Sequence, residues 1–341
     1  MSIIFLILGI SALILIHELG HFIAAKSFGI LVEEFGIGFP PRLIGKRFGE
    51  TTYSINLLPF GGFVKIYGER PELEQGSVPP ERSFARLAVW RRAIIIGAGI
   101  VMNFIIGWIL ISTVFFSGIP NAVVVTGVAE NSPASLVGLT AGDRILGFET
   151  TSLFIEFVGE HRGQEIAFSI QRSGEEIPLK VIPRSVVPEG EGALGVSLAD
   201  TGVERMPFFD SIGEGFMASF RIMKDVFGAI ARFLISLFSG TPSGENFVGP
   251  VGIFQVAQQG ADLGIVYFFQ LLALISLNLA ILNLLPIPAL DGGRLLFLIV
   301  EAVKGSPVNP KRELTATAIG FILLILAMIA VTVRDVVRIF F

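Results

Sequence analysis

SIIFLILGISALILIHELGHFIAA, residues 2–25, is an apolar run interrupted only by His17, Glu18 and His21. About 20 apolar residues suffice for a helix to cross the hydrocarbon core of a bilayer, so this stretch reads as a transmembrane helix. It is expected to be retained, because Met1 and Ser2 offer no basic leader and the apolar run continues past any early signal-peptide cleavage point. Residues 93–116, 265–289 and 315–333 are three further stretches of the same kind. Of 341 residues, 52% are hydrophobic and 16% charged, with a mean hydropathy of +0.74, against about 45–50% and about 25% in an ordinary soluble domain. The expected fold class is a polytopic α-helical membrane protein with four transmembrane helices. A net charge of −4 supplies no basic field, so nucleic acid is not an expected partner. The absence of cysteine excludes disulfides, thiolate metal sites and a cysteine nucleophile.

Lys and Arg set the expected orientation, because cytoplasmic loops carry their excess. Between the first two spans lie Lys26, Arg42, Lys46, Arg47, Lys65, Arg70, Arg82, Arg86, Arg91 and Arg92. That loop is expected in the cytoplasm, with both termini and the long segment 117–264 outside and the short 291–314 loop inside. Arg334 and Arg338, after the last span, pull mildly the other way.

The outer segment changes character. Short β-branched or aromatic runs at Val123-Val124-Val125, 166–170 and 179–182 alternate with turn signals such as Asn131-Ser132-Pro133 and Arg172-Ser173-Gly174. VAENSPASLVGLTAGDRIL, residues 128–146, resembles the start of a PDZ domain: a strand, a helix opened by Ser-Pro-Ala, then a Gly-Asp turn and a strand. One PDZ-like domain is therefore expected over 119–200; such folds add a peptide at a sheet edge, although a small β-rich domain without a ligand would read the same way. In the segment 201–264, Phe209, Ile212, Phe216, Phe220, Met223, Phe227, Ile230, Leu234 and Leu237 recur every three or four residues, the signature of an amphipathic helix. It can lie in the membrane interface or pack on the PDZ-like domain or the spans.

The chemistry is concentrated in the spans. His17-Glu18-Leu19-Gly20-His21 is H-E-x-x-H, which on a helix sets two imidazoles on one face to share a Zn²⁺, with Glu18 next to the open coordination site. Ionisable groups in an apolar span cost a few kcal/mol or more unless paired or functional. Catalytic zinc takes three protein ligands and a water, so a third ligand is needed. His161 falls in the PDZ-like domain; Asp291, in NLLPIPALDGG (residues 283–293), is the acid near membrane depth. Pro286 and Pro288 stop the helix there, as fits backbone lining a cavity, or simply the exit turn of a span.

H-E-x-x-H in the first span, N-x-x-P-x-P-x-L-D-G in the third and a PDZ-like domain between spans two and three together resemble the site-2 protease family of intramembrane zinc metalloproteases, bacterial RseP type. The resemblance covers nearly the whole chain. It implies zinc held by His17, His21 and Asp291, Glu18 as base, and Asn283 helping to hold or polarise the substrate. It further implies a multi-pass enzyme of the bacterial cytoplasmic (inner) membrane whose partners are the lipid bilayer and single-span membrane-protein substrates, anti-sigma-factor-like proteins or signal-peptide remnants, cut near the cytoplasmic side. LLPFGGFVKIYG, residues 57–68, resembles the family's membrane-associated β-loop, and GPVGI, residues 249–253, its lead-in to the third span. Many relatives carry two PDZ domains in tandem, so the single copy departs from any size gate built on a pair. The expected organisation is 1–118, two spans with the β-loop; 119–200, PDZ-like; 201–264, amphipathic; and 265–341, the last two spans. A PDZ adaptor with a vestigial metal site and a metal transporter are the competing readings; Glu18 and the scarcity of polar residues in the second and fourth spans weigh against both.

Overall fold

The computed structural model describes residues 3–69, 78–172, 174–188, 191–239 and 265–340; the stretch 249–253 lies outside them. The chain divides into two compact units, Met1–Ile111 with Gly215–Val256 and Gln270–Phe341, and Ser112–Glu214 with Ala257–Phe269.

The first unit begins with helix α1, Ile3–Ser27. Strands β1, Val32–Phe48, and β2, Thr51–Ile66, follow as a hairpin. Helix α2 is Val89–Ser117, α5 is Phe208–Ser239, α6 is Ile265–Leu284, α7 is Asp291–Lys304 and α8 is Pro310–Phe340. Four windows, Ile4–Ser27, Val89–Ser117, Ile265–Leu284 and Pro310–Val333, are long and apolar enough to span a bilayer, so the chain is a polytopic membrane protein. On α8 the large apolar side chains Phe321, Ile322, Leu323 and Leu326 are exposed, as a lipid-facing helix requires. Phe216 of α5 packs edge-on against Phe104 and Trp108 of α2, with ring centroids 5.7 and 5.4 Å apart, so this amphipathic helix leans on a span.

Ala24, Ala25, Ile30, Val32, Ile66, Phe84, Leu87, Ile95, Ile96 and Leu298 form one buried cluster. It fastens the end of α1, the root of the hairpin, the start of α2 and the middle of α7 together. Arg92 and Glu301 add a two-pronged ion pair between α2 and α7. The hairpin is larger than the loop expected over residues 57–68, because β1 supplies a long first strand, and its strands bend. Residues 44–48 pair with 51–55, and residues 34–37 pair with both 52–55 and 62–65. Its polarity is inverted: Ser54 and Asn56 are buried while Tyr53, Ile55 and Leu57 are exposed. Asn56 Nδ2 donates to the carbonyls of Gly38 and Ile37 at 3.1 and 3.3 Å.

Two expectations are corrected at the other end. The third membrane helix stops at Leu284 rather than residue 289, because Pro286 and Pro288 cannot continue it. Residues 291–314 are not a loop: α7 begins at Asp291 and ends on Gly305, whose φ of 72° closes the helix in the left-handed region.

The second unit carries an antiparallel sheet in the order β6-β5-β4-β3-β7, with β3 Val123–Val128, β4 Arg144–Ile145, β5 Ile166–Arg172, β6 Glu175–Val181 and β7 Val196–Asp200. Helices α3, Pro133–Leu136, and α4, Thr151–Glu160, accompany it. Ser132 caps α3 by accepting from Ser135 N–H. Val123, Val125, Ile145, Phe154, Ile166, Ile170 and Leu194 form the core. Asp143, 1% exposed, accepts from Thr140 N–H and from two nitrogens of Arg172. That carboxylate raises the Arg172 guanidinium pKa, and a buried acid is tolerated there because it is fully paired.

Candidate metal centre

The H-E-x-x-H turn lies within α1, so His17 and His21 stand one above the other on the same face. Asp291 arrives from the far end of the sequence as the first residue of α7, where an acid favours the helix N-terminus. The backbone before it turns sharply. Ala289 holds a φ of 89°, a sparsely populated conformation for a residue with a side chain. Gly292 and Gly293 make the turn fit: a Cβ on either would stand 2.2 Å from Leu285 O or 2.3 Å from Ile287 O. This accounts for Leu-Asp-Gly-Gly as a steric unit that delivers one carboxylate.

The three donor atoms converge. Asp291 Oδ2 is 3.1 Å from His17 Nε2 and 3.3 Å from His21 Nε2, and the two Nε2 atoms are 3.2 Å apart. All three side chains are nearly buried, at 10–12% exposure. Among the described residues Asp291 Oδ2 nevertheless accepts no hydrogen bond of good geometry, and the three donor atoms lie close enough together to hold one ion. Zinc bonds to nitrogen and oxygen of about 2.0–2.2 Å in a tetrahedron require ligand atoms roughly 3.3–3.5 Å apart. The observed triangle comes within a few tenths of an ångström of one tetrahedral face, and its N₂O donor set suits zinc.

Neighbouring backbone sets the ring positions. His21 Nδ1 donates to the Ile95 carbonyl at 2.8 Å, which leaves Nε2 free to bind a metal. Gly20 and Gly99 let α1 and α2 approach closely: a Cβ on Gly99 would stand 2.5 Å from His21 Nε2, and one on Gly20 2.5 Å from Ala98 O. Glu18, half-buried, is near enough to His17, His21 and Asp291 to interact electrostatically with each. Asn283 lies in the last turn of α6, half-buried, and makes no hydrogen bond that links it to the triad among the described residues. Ile95, Gly99 and Asn103 carried no sequence signal beyond an isolated polar residue in an apolar span.

Two histidines and an aspartate brought together from α1 and α7, with a glutamate beside them, are a donor set of the kind a membrane-embedded metallohydrolase uses. The chain matches peptidase family M50 over residues 5–327 and belongs to that family, and it is a metalloprotease. It is similar to the regulator of sigma-W protease RasP of Bacillus subtilis, at 30% identity over 96% of both chains. The zinc metalloproteases RasP of Bacillus licheniformis, 30% identical over 99% of each chain, and of Shouchella clausii, 32% over 97%, are similar as well. Zinc is thus the metal of this enzyme family, and peptidase membership decides against the adaptor and transporter readings.

Proposed function

We propose that the chain is a zinc-dependent endopeptidase of the bacterial cytoplasmic membrane that cuts single-span membrane proteins of the anti-sigma-factor kind, or signal-peptide remnants. The 3.1–3.3 Å triangle of donor atoms inside the helical unit carries this reading. His17, His21 and Asp291 hold the zinc. When bound, zinc acidifies water to a pKa of about 7 and polarises a carbonyl. Glu18 takes the proton from the attacking water and returns it to the leaving amine. Asn283 steadies the substrate carbonyl.

A transmembrane substrate hides its carbonyls in i to i−4 hydrogen bonds, so it must unwind before attack. The hairpin offers such a segment an alternative partner. Residues 62–66 pair on one side with 32–37 and have no second strand among the described residues. Gly61 and Gly62 lie against Ile14 and Leu15 of α1, immediately before His17. Main-chain pairing at this edge would hold an extended substrate with little demand on its sequence. The order strand, Ser-capped helix, Gly-Asp turn and strand supports a PDZ-like domain over 119–200. The charge distribution supports placing that domain and both termini outside, with the metal centre toward the cytoplasm. Similarity to the B. subtilis regulator of sigma-W protease supports the choice of substrate.

The test is cleavage of a panel of single-span substrates by purified, reconstituted enzyme, with and without chelator. Chelator-sensitive cleavage that Glu18→Gln slows by at least about a hundredfold is the expected result; cleavage by a Glu18→Gln enzyme at the wild-type rate would overturn the assignment of the base.

A further inference from the structure

His17 differs from His21 in what stands behind it. The Nδ1 atom of His21 meets a main-chain carbonyl, which can only accept, so its proton position is fixed. The Nδ1 atom of His17 meets the side-chain carboxamide of Asn103 at 3.2 Å. Asn103 is 1% exposed in the middle of α2, and its carboxamide presents Nδ2 to the ring while Oδ1 has no partner among the described residues. The two ends of a carboxamide have almost the same shape, and a half-turn about χ2 exchanges them.

Chemistry distinguishes the two orientations. With Nδ2 donating to Nδ1, the imidazole must carry its proton on Nε2, the atom turned toward His21 and Asp291, and cannot ligate. With Oδ1 accepting, the proton sits on Nδ1 and the Nε2 lone pair is exposed. We propose that Asn103 is the positioning residue of the metal centre: Oδ1 accepts the Nδ1 proton of His17, and so fixes the tautomer able to bind zinc. This rests on His17 being a ligand.

The surrounding helix fits that role. Ile95, Gly99 and Asn103 are spaced four apart and form one stripe of α2, facing His21 and His17 of α1 in antiparallel order. A side chain on a helix leans back over the carbonyl one turn earlier. Gly99 therefore leaves the Ile95 carbonyl uncovered for His21. Gly107 does the same for the Asn103 carbonyl, which accepts from Ser276 Oγ of α6 at 2.8 Å. This third helix thus pins the main chain of Asn103.

The experiment measures zinc affinity without substrate, in folded, reconstituted variants, together with the ring tautomers of the wild type by ¹⁵N-histidine NMR. The chain has only three histidines, so assignment is tractable. Asn103→Leu, similar in size but without an acceptor, should weaken zinc binding about 10–100-fold. Asn103→Asp keeps the acceptor and should stay within about threefold of wild type or tighter, since the carboxylate–histidine–metal arrangement is a common one. The zinc-loaded wild type should show His17 protonated at Nδ1. Wild-type affinity in Asn103→Leu, equal losses in the Leu and Asp variants, or an Nε2 proton on His17 would each overturn the proposal. His17→Ala is the control: if it binds zinc normally the ligand assignment fails, whereas if it loses zinc and Asn103→Leu does not, only the role of Asn103 fails.

Discussion

Glu18 and Asp291 are neighbouring carboxylates to which the proposed mechanism gives different tasks, and substitutions should separate them. Asp291 is held by the turn that Ala289, Gly292 and Gly293 make possible, its Oδ2 fixed between two imidazoles. Asp291→Ala should therefore abolish zinc retention and cleavage together. Glu18→Gln should retain zinc and slow cleavage on the order of 10²–10⁴-fold, the usual contribution of a general base. Metal analysis beside a rate measurement reads both; full zinc occupancy in Asp291→Ala would remove it from the ligand set. Gly99 sets a sharper test, because two effects oppose each other. Ala in place of Gly stabilises a helix interior by up to about 1 kcal/mol, yet its Cβ would stand 2.5 Å from His21 Nε2 and 2.7 Å from His17 Cε1. The contact should win at the site: Gly99→Ala should lower zinc affinity at least tenfold while leaving the helices folded. Unchanged zinc affinity would show that the rings can yield at no cost.

At the scale of the element, the hairpin shows what was legible in the sequence and what was not. Tyr53, Ile55 and Leu57 alternate, so β2 could be read from its period of two. The outward direction of the apolar set could not, because alternation does not say which face meets the core. β1 escaped because Gly36, Gly38, Pro40, Pro41 and Gly45 read as turn signals, and only its pairing with β2 overrides them. In the site, the H-E-x-x-H spacing and Asp291 were legible since each lies in a short motif; the Ile95 carbonyl was not, since every residue has one. The hairpin tip is fastened by Glu50, which pairs with Lys26 and, at 2.7 Å, with Arg82. The Arg82 and then the Lys26 hydrogen bonds hold the Glu50 carboxyl down at about 2. A depressed carboxyl stabilises the fold fully above its unfolded value near 4.5, and that contribution is lost as pH falls through about 2. Each exposed pair is worth no more than about 1 kcal/mol, so the effect should be local. A spin label on Phe48→Cys should stay ordered from pH 7 to 5, loosen as pH falls toward 2, and be loose throughout in Glu50→Gln. Equal order in both proteins at pH 7 would remove Glu50 as the anchor.

The whole molecule places its chemistry in one compact unit and its β-sheet domain in another, and the division of labour follows from which unit can touch the scissile bond. Orientation comes first. The cysteine-free chain allows single cysteines to be probed with an impermeant thiol reagent in intact cells: Ser185→Cys, on the sheet domain, should label and Glu81→Cys, between the first two spans, should not. The opposite pattern would invert the topology. Given that topology, residues 119–200 meet only the outer portion of a substrate and cannot contribute to bond cleavage. Removing 121–198 should then leave turnover of a short, pre-trimmed single-span substrate intact or raised. Substrates with bulky outer domains should be cut faster by the deleted enzyme if the domain is a barrier, and more slowly if it is a tether. The barrier is the expected outcome: if the hairpin edge beside α1 grips substrate main chain as proposed, an enzyme without an outer filter would have little means of refusing a substrate. Cleavage of trimmed and untrimmed substrates by both enzymes distinguishes the cases. Loss of activity on the trimmed substrate by a correctly folded deletion variant would exclude barrier and tether alike, and would mean that the sheet domain supports the catalytic unit itself.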